Sequence, residues 1–230
     1  LALNIEKTSI IGFGFSPEPL TINNTTIAPV SSFKFLGMTI EQSLGLDDHV
    51  KIVASKIRAA AAKIRADGSS FSTPDRRRLY MGWVQGVLCS NGAAYLPLLN
   101  QTQLDILQTA CNCAIRSVAK LPRKSKDISI SDVRQCLKIS SVKILANNSI
   151  LTQAWKNRES FSSTQTEGPQ TRSRSIGNIT HPNQKGFLGK MISTKAKCAY
   201  NHLPKQCKSE ESEEKAKKII TEIAQENPII

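Results

Sequence analysis

The chain has 230 residues, of which 40% are hydrophobic, so it can bury a core and is not expected to be a disordered chain. No apolar run approaches the roughly 20 residues of a membrane span, and the six cysteines lack the spacing of a disulfide framework. These features exclude a spanning helix and a disulfide-stapled secreted fold. We therefore expect reduced, mostly buried cysteines in an intracellular protein of the nucleus or the cytoplasm.

The formal net charge of +13 is concentrated in the middle of the chain. Residues 1–50 contain two basic and five acidic residues, residues 51–126 thirteen basic and three acidic, and residues 127–230 sixteen basic and ten acidic. The central block thus has a net charge of +10, which is typical of a surface that binds phosphates. A solvated surface that keeps the protein soluble is the alternative.

The first part of the chain has the pattern of three short strands, at 9–15, 20–28 and 33–40. Asn23-Asn24 lies between Thr/Ile pairs and predicts a tight turn. The last segment has apolar residues on both faces and a glycine in its middle. It is therefore predicted to be a strand buried on both sides, or one that a partner approaches closely at Gly37.

A strong helical pattern follows at 49–66, where apolar residues recur at steps of three and four. This predicted apolar stripe consists of Val50, Val53, Ile57, Ala60 and Ile64. Asp47 or Asp48 is expected to cap the helix. Basic residues recur every seven positions, with two more nearby, and predict a basic face beside the stripe: Lys51, Arg58 and Arg65, with Lys56 and Lys63.

A second helix is predicted to begin at Ser72-Thr73-Pro74-Asp75, with a cap residue, a proline and an acid in the expected order. It places Arg76, Arg77 and Arg78 on its first turns. Periodicity then predicts a helix at about 100–119, a basic loop at 123–126, and a segment at about 130–157 that is helical in two pieces broken near 139–141.

The final part of the chain begins with a linker or mobile loop at 158–186, rich in Ser, Thr, Gln, Gly and Pro. Order is expected to return at 187–199, followed by a turn at 200–204. A last helix is predicted at about 209–225, where glutamates precede lysines by four residues in the favoured ion-pair direction.

No self-contained catalytic centre is recognisable in the sequence. Cys198, His202 and Cys207 offer three ligands at unusual spacings without a second cysteine pair, so no metal site is predicted. Neither a Gly-x-Ser-x-Gly element nor a phosphate-binding loop is present. Because aromatic residues are few, the basic helices indicate contact with a nucleic-acid backbone and not a base-stacking platform.

The order of these segments resembles the downstream part of reverse transcriptases from non-LTR (LINE-type) retrotransposons. Leu3-Asn4 with Lys7-Thr8 resembles the motif that follows the family's catalytic aspartates. The next motif is matched by Phe35, Leu36, Gly37, Glu41, Leu44 and His49. Residues 104–122 resemble the family's Leu-x-x-Gln…Arg helix after the thumb, and residues 199–206 its terminal Trp-Asn-x-Leu-Pro element.

The chain departs from the family pattern at three of these positions. Glu41 stands where members often have aspartate, and Leu46 and Tyr200 stand where they often have tryptophan. The paired catalytic aspartates would precede Leu1. Since the chain begins with Leu1, we expect it to be part of a longer protein that by itself does not polymerise.

The resemblance implies an α+β, mostly α fold, with a small antiparallel β region followed by a basic helical thumb and a helical C-terminal region. The implied divisions are 1–46 for the end of the polymerase palm, 47–126 for the thumb, 127–157 for a helical continuation, 158–186 for the linker and 187–230 for the C-terminal segment.

The resemblance also implies roles for individual residues. Phe35, Leu36 and Gly37 would form the primer grip that holds the 3′ end of the growing strand. Lys7 would contact the phosphates of the incoming nucleotide or protonate the leaving pyrophosphate, unless it is a solvent-exposed lysine after a turn. The expected contacts with the nucleic-acid backbone are Lys51, Lys56, Arg58, Lys63, Arg65, Arg76, Arg77, Arg78, Arg123 and Lys124.

The implied partners are an RNA template, a DNA primer and the rest of the polymerase chain, with no membrane. No cofactor is expected in this part of the protein, whereas Mg²⁺ is expected for the parent polymerase. The alternative is a non-catalytic basic helical module that binds RNA or a protein partner.

Overall fold

The computed structural model describes residues 4–22, 24–122, 128–162 and 192–226. The chain divides into two compact units. The first comprises Leu1–Asn91 and Asp105–Val118, and the second comprises Gly92–Leu104 and Ala119–Ile230. The described residues are mainly helical with two small antiparallel sheets, which confirms the predicted α+β, mostly α class. The predicted β region and the basic helix belong to the same unit.

Two hairpins form the β region of the first unit. Strand β1 (Leu20–Ile22) pairs with β2 (Thr25–Ile27), and β3 (Ser32–Phe35) pairs with β4 (Met38–Glu41), both antiparallel. The segment predicted as one strand at 20–28 is thus a hairpin, and the predicted tight turn lies between its strands, where Asn24 has a φ of 59°. The predicted strand at 9–15 is wrong, because the described residues there form an isolated bridge and no strand.

Helices account for the rest of the first unit. They are α1 (Asp47–Asp67), α2 (Thr73–Leu79), a π-helical segment (Tyr80–Gln85) that continues into α3 (Gly86–Cys89), and most of α5 (Gln101–Val118), with short 3-10 helices at Ile5–Lys7 and Gly68–Ser70. The intervening α4 (Gly92–Tyr95) and the 3-10 helix Leu96–Leu98 belong to the second unit.

The predicted apolar stripe of α1 is buried along its whole length. It packs against the π-helical segment and α3, which contribute Tyr80, Val84 and Leu88 to the same core. Burial of each valine, leucine or isoleucine side chain stabilises the unit by about 1.5–3 kcal/mol, so this stripe determines how α1 is oriented. The predicted start of the second helix is also confirmed, since the Ser72 hydroxyl accepts a hydrogen bond from the Asp75 amide.

The cap of α1 differs from the prediction. Asp47 and Asp48 lie in the first helical turn, where negative charge is favourable. The N-cap position is Leu46, whose side chain makes no capping hydrogen bond. Instead, Oε1 of Glu41 accepts the Asp48 amide hydrogen at 2.7 Å. A residue at the end of β4 thus satisfies the helix start, and sequence spacing along the helix alone does not reveal such a tertiary cap.

The second unit contains α6 (Ile130–Cys136), α7 (Val142–Lys156), α8 (Arg158–Ser162), α9 (Ile192–His202), α10 (Lys205–Ser209) and α11 (Glu213–Glu226). Helix α7 packs against α9 and α11. Its core includes Ile150, Leu151, Trp155, Tyr200 and Ile220. The break between α6 and α7 confirms the predicted interruption near 139–141.

Several boundaries in the second unit differ from the predictions. Tyr200 lies within α9 and not in a turn, because its buried ring extends the helix face that packs on α7. The last helix begins at Glu213, and a separate short helix precedes it. Lys217 and Glu213 form the expected ion pair at 2.9 Å. The predicted linker contains α8 at its start, and its remaining residues lie outside the described ranges, as do residues 187–191 of the segment predicted to be ordered.

The six cysteines are free, but the expectation that most are buried is wrong. Cys111 and Cys207 are buried, whereas Cys89 and Cys136 are exposed. Burial raises the pKa of the Cys111 thiol to about 12, so this cysteine is protonated at neutral pH. Among the described residues, no helix combines the length and the apolar character needed to cross a membrane.

Candidate nucleic-acid interface

The segment predicted as one strand at 33–40 is a hairpin. Leu36 and Gly37 connect β3 to β4 and have φ values of 47° and 87°. Positive φ at both central positions is the geometry of a type I′ turn, which strongly favours glycine at the second. The turn therefore explains Gly37 without a bound partner. Nδ2 of Asn91 also donates a hydrogen bond to the Leu36 carbonyl at 2.5 Å, which ties the tip to the end of α3.

The sequence contains a signal for this turn. Apolar residues occupy odd positions before it, at Phe33 and Phe35, and even positions after it, at Met38 and Ile40. Because Phe33 pairs with Ile40 and Phe35 with Met38, all four lie on one face of the hairpin. The tip itself is accessible, since Phe35 is 52% and Leu36 80% exposed. The residues of the predicted primer grip are thus together at an exposed tip.

Gly37 and Gly82 should respond in opposite ways to replacement by alanine. At Gly37 the positive φ, and Asn91 Nδ2 at 3.1 Å from an added Cβ, should make Gly37→Ala destabilising by about 1–2 kcal/mol. At Gly82, inside a helix with no heavy atom within 4 Å of that position, Gly82→Ala should stabilise by about 0.5–1 kcal/mol. Urea denaturation measures both, and equal effects would contradict the turn assignment.

The five basic residues of α1 are all exposed, and they form two rows. At about 100° per residue, Lys51, Arg58 and Arg65 lie along one flank of the buried face, and Lys56 and Lys63 lie along the other. The rows are about 140–160° apart around the helix, so the prediction of a single basic face is wrong. The surface between them consists mainly of small exposed residues: Ser55, Ala59, Ala62 and Ala66.

The two rows differ in the partners of their side chains. Lys51 forms an exposed ion pair with Asp48 at 3.1 Å, and Nε of Arg65 donates to the Ser117 hydroxyl at 3.4 Å. Across the described ranges, no hydrogen bond or ion pair is found for Lys56, Arg58 or Lys63. These three cations are therefore the best placed on α1 to bind an external anion.

The triple arginine of α2 does not form one contact surface. Arg78 is exposed and pairs with Asp75 at 2.8 Å, and Arg77 is half-buried. Arg76, one of the predicted nucleic-acid contacts, is only 3% exposed. Its guanidinium donates to the Ser117 carbonyl at 3.2 Å and to the Thr73 hydroxyl at 3.4 Å. Arg76 is thus a structural residue of the first unit and is inaccessible to a phosphate.

The remaining predicted contacts are not gathered at α1. Lys7 is exposed at the end of the first 3-10 helix, and its backbone amide donates to Oδ1 of Asn4 at 3.2 Å. Its predicted role at a nucleotide phosphate stays a prediction. Arg123 and Lys124 lie outside the described residues.

A groove beside the Lys56–Lys63 row contains residues that sequence analysis does not single out. It lies between α1 and the helix formed by α2, the π-helical segment and α3, with a volume of about 540 Å³. Trp83, which is 38% exposed, and Gly82 and Gly86 contribute its second wall. One sequence feature marks this groove: two glycines four residues apart flank a tryptophan within a helical pattern.

His49 connects the hairpin to α1 and should make the first unit sensitive to acid. It is buried, and its Nδ1 accepts the Thr39 amide hydrogen at 3.3 Å. Burial, and secondarily the charge of Lys56, lowers the pKa of His49 below its usual 6.5, against an opposing effect of Glu41. The unfolded chain therefore binds this proton more readily, so stability should fall as the pH drops below about 6.5.

Urea denaturation between pH 7.5 and 5.5 tests this expectation. His49→Gln removes the titrating group, so its profile should be flatter than that of the wild type. Because both proteins retain the same carboxylates, the difference between their two stability profiles gives the contribution of His49 to the pH dependence. Parallel profiles would show that the histidine does not control the acid response.

No protein-family model matches the chain, and neither a curated protein nor a solved structure is similar enough to count as a match. The described residues also contain no group of three or more His, Cys, Asp or Glu side chains that could hold a metal ion.

Proposed function

We propose that the chain is the nucleic-acid-gripping part of a non-LTR (LINE-type) RNA-directed DNA polymerase, and that it holds the template–primer duplex. The observation that carries this proposal is the surface of α1. Between His49 and Ala66 the helix has five basic residues and no acidic one. All five are exposed, and the surface between their two rows consists mainly of small residues, together with the exposed Ile52.

The geometry of α1 suits a phosphate backbone. Residues seven apart are separated by about 10.5 Å along a helix, and phosphates of one strand of duplex DNA follow one another every 3.4 Å along its axis. Lys56 and Lys63 therefore span about three nucleotide steps. The alanines between the rows allow close approach, since they present no long side chain.

The β3–β4 hairpin supports the same proposal through its position in the chain and its exposed tip. Phe35 and Leu36 present apolar surface that a sugar or a terminal base can contact, and the hydrogen bond from Asn91 restrains the tip. We assign no catalytic step to these residues. The resemblance of the motif order to the polymerase family supports contact between this tip and the 3′ end of the primer.

Binding of a fluorescent primer–template duplex between 50 and 200 mM salt tests the proposal. The logarithm of the affinity should fall linearly with the logarithm of the salt concentration, with a slope near −0.9 for each phosphate contacted. Replacing Lys56, Arg58 and Lys63 together by alanine should weaken binding and reduce the slope by about three. Fluorescence polarisation measures both quantities, and a salt-independent affinity would refute the proposal.

A matched variant separates a local contact from a general effect of charge. Lys205, Lys215 and Lys218 are exposed in the second unit, and their replacement by alanine removes the same charge. Binding by this control should remain close to that of the wild type. An equal loss in both triple variants would mean that α1 is not the contact surface.

A further inference from the structure

The groove between α1 and the helix that includes Trp83 has a composition suited to binding an anionic polymer that carries planar aromatic rings. Lys56 and Lys63 line one wall, and Trp83 with Gly82 and Gly86 lines the other. No acidic side chain is among the residues that line it in the described part of the chain. The groove is therefore positive at one wall and aromatic at the other.

The packing of the first unit does not require the two glycines of this groove. A Cβ at Gly82 would meet no heavy atom within 4 Å, and one at Gly86 would meet the Met81 carbonyl oxygen at 3.9 Å, an ordinary contact. Glycine within a helix is unfavourable relative to alanine. Because Gly82 and Gly86 have no side chains, the surface beside Trp83 is open and a ligand can approach the helix backbone there.

The backbone is irregular at the same place. The Gly86 amide donates to the Met81 carbonyl five residues earlier, which makes residues 80–85 a π-helical segment. Such segments are frequent at functional sites, because they change the direction of a side chain within a helix. Trp83 lies in the middle of this segment and is more exposed than a core tryptophan.

We propose that this groove binds a single-stranded segment of nucleic acid, with phosphates at Lys56 and Lys63 and a base stacked on Trp83. A cationic groove combined with an aromatic side chain is the usual composition of single-strand sites. The inference rests on the proposed function and adds to it a site for a strand that continues beyond the duplex. Lys56 and Lys63, exposed at the edge of the groove, would then contact phosphates of both the duplex and the strand that leaves it, whereas Arg58 would contact the duplex alone.

Titration of the full chain with a fluorescent oligothymidylate and with the primer–template duplex tests the inference. Trp83→Ala should weaken oligothymidylate binding by about 5- to 150-fold, while Trp83→Phe should retain much of it. A double variant, Gly82→Leu with Gly86→Leu, should fill the groove and abolish single-strand binding, since a Cβ at either position makes no contact closer than 3.9 Å. Gln85→Leu, on the same helix but outside the groove lining, is the matched control. Circular dichroism checks that each variant is folded.

The outcomes distinguish this inference from the proposed function. Loss of oligothymidylate binding in the groove variants, with duplex binding retained, supports it, as does quenching of Trp83 emission that Trp83→Phe removes. Duplex binding by the wild type together with unchanged oligothymidylate binding by the filled-groove variant would overturn the inference alone. Equal loss of both probes, or equal affinity for poly-glutamate, would also overturn it. Failure of the wild type to bind either nucleic acid would overturn both.

Discussion

Arg76→Ala is expected to destabilise the first unit by about 2–4 kcal/mol, although Arg76 belongs to a run of three arginines that reads as a surface patch. Hydrogen bonds that involve a charged group contribute about 1.5–3 kcal/mol, and truncation leaves the buried Ser117 carbonyl without this donor. Release of a buried charge offsets part of the loss, since burial lowers the pKa of the Arg76 guanidinium.

The aliphatic part of Arg76 adds to this effect. A Cβ at the buried Gly68 would lie 2.9 Å from Cδ of Arg76, so the arginine stem packs directly over the turn that follows α1. Truncation would open a cavity there. Arg76→Lys should not restore stability, because an ammonium group cannot reproduce the two hydrogen bonds of the planar guanidinium.

Arg78→Ala is the matched control for Arg76→Ala. Arg78 is exposed and pairs with Asp75 on the surface, so its loss should change the free energy of unfolding by less than about 1 kcal/mol. Urea denaturation followed by circular dichroism measures both variants, and amide hydrogen exchange in α1 and α5 identifies the unit affected. Equal and small effects would show that Arg76 is not a structural residue.

Trp155→Ala is expected to destabilise the second unit by about 3–5 kcal/mol. The ring is 5% exposed in the core formed by α7, α9, α10 and α11, and its Nε1 donates to the Glu210 carbonyl at 3.3 Å. The guanidinium of Arg158 lies 4.4 Å from the ring centroid. Removal of the ring therefore creates a large cavity and ends both polar interactions.

Two further variants separate these contributions. Trp155→Phe retains most of the apolar contact and loses the hydrogen bond, so its cost should be about 1–2 kcal/mol. Trp83→Ala removes a tryptophan that is 38% exposed and should cost much less than Trp155→Ala. Denaturation curves measure all three, and a similar cost for the two alanine variants would contradict the assignment of Trp155 to the core.

Local sequence patterns predicted the long helices well. Three features follow from periodicity within a single segment: the stripe of α1, the repeat of α5 and the break between α6 and α7. A helix that packs on a core must bury one apolar face, so its apolar residues recur at helical spacing whatever it packs against. The start of α2 is similar, because Ser72, Pro74 and Asp75 act within a single turn. These features could be predicted because the interactions that produce them are close in sequence.

The candidate site was predicted in part. The sequence identified the basic residues of α1, since charge and spacing are visible along one helix, but it grouped them on one face. It did not identify Trp83, because a groove exists only where two helices lie side by side. Gly37 was recognised as unusual within a strand, but the turn that requires its positive φ was missed.

The amino-acid sequence by itself determined where the long helices form, which of their faces are buried, and that positive charge is concentrated in residues 51–126. Only the tertiary structure decided that Arg76 is buried against Ser117, that Glu41 caps α1, and that Lys56 and Lys63 face a groove. The physical reason is that these interactions join residues distant in the chain or on separate elements, and their energies depend on a packing geometry that no local pattern encodes.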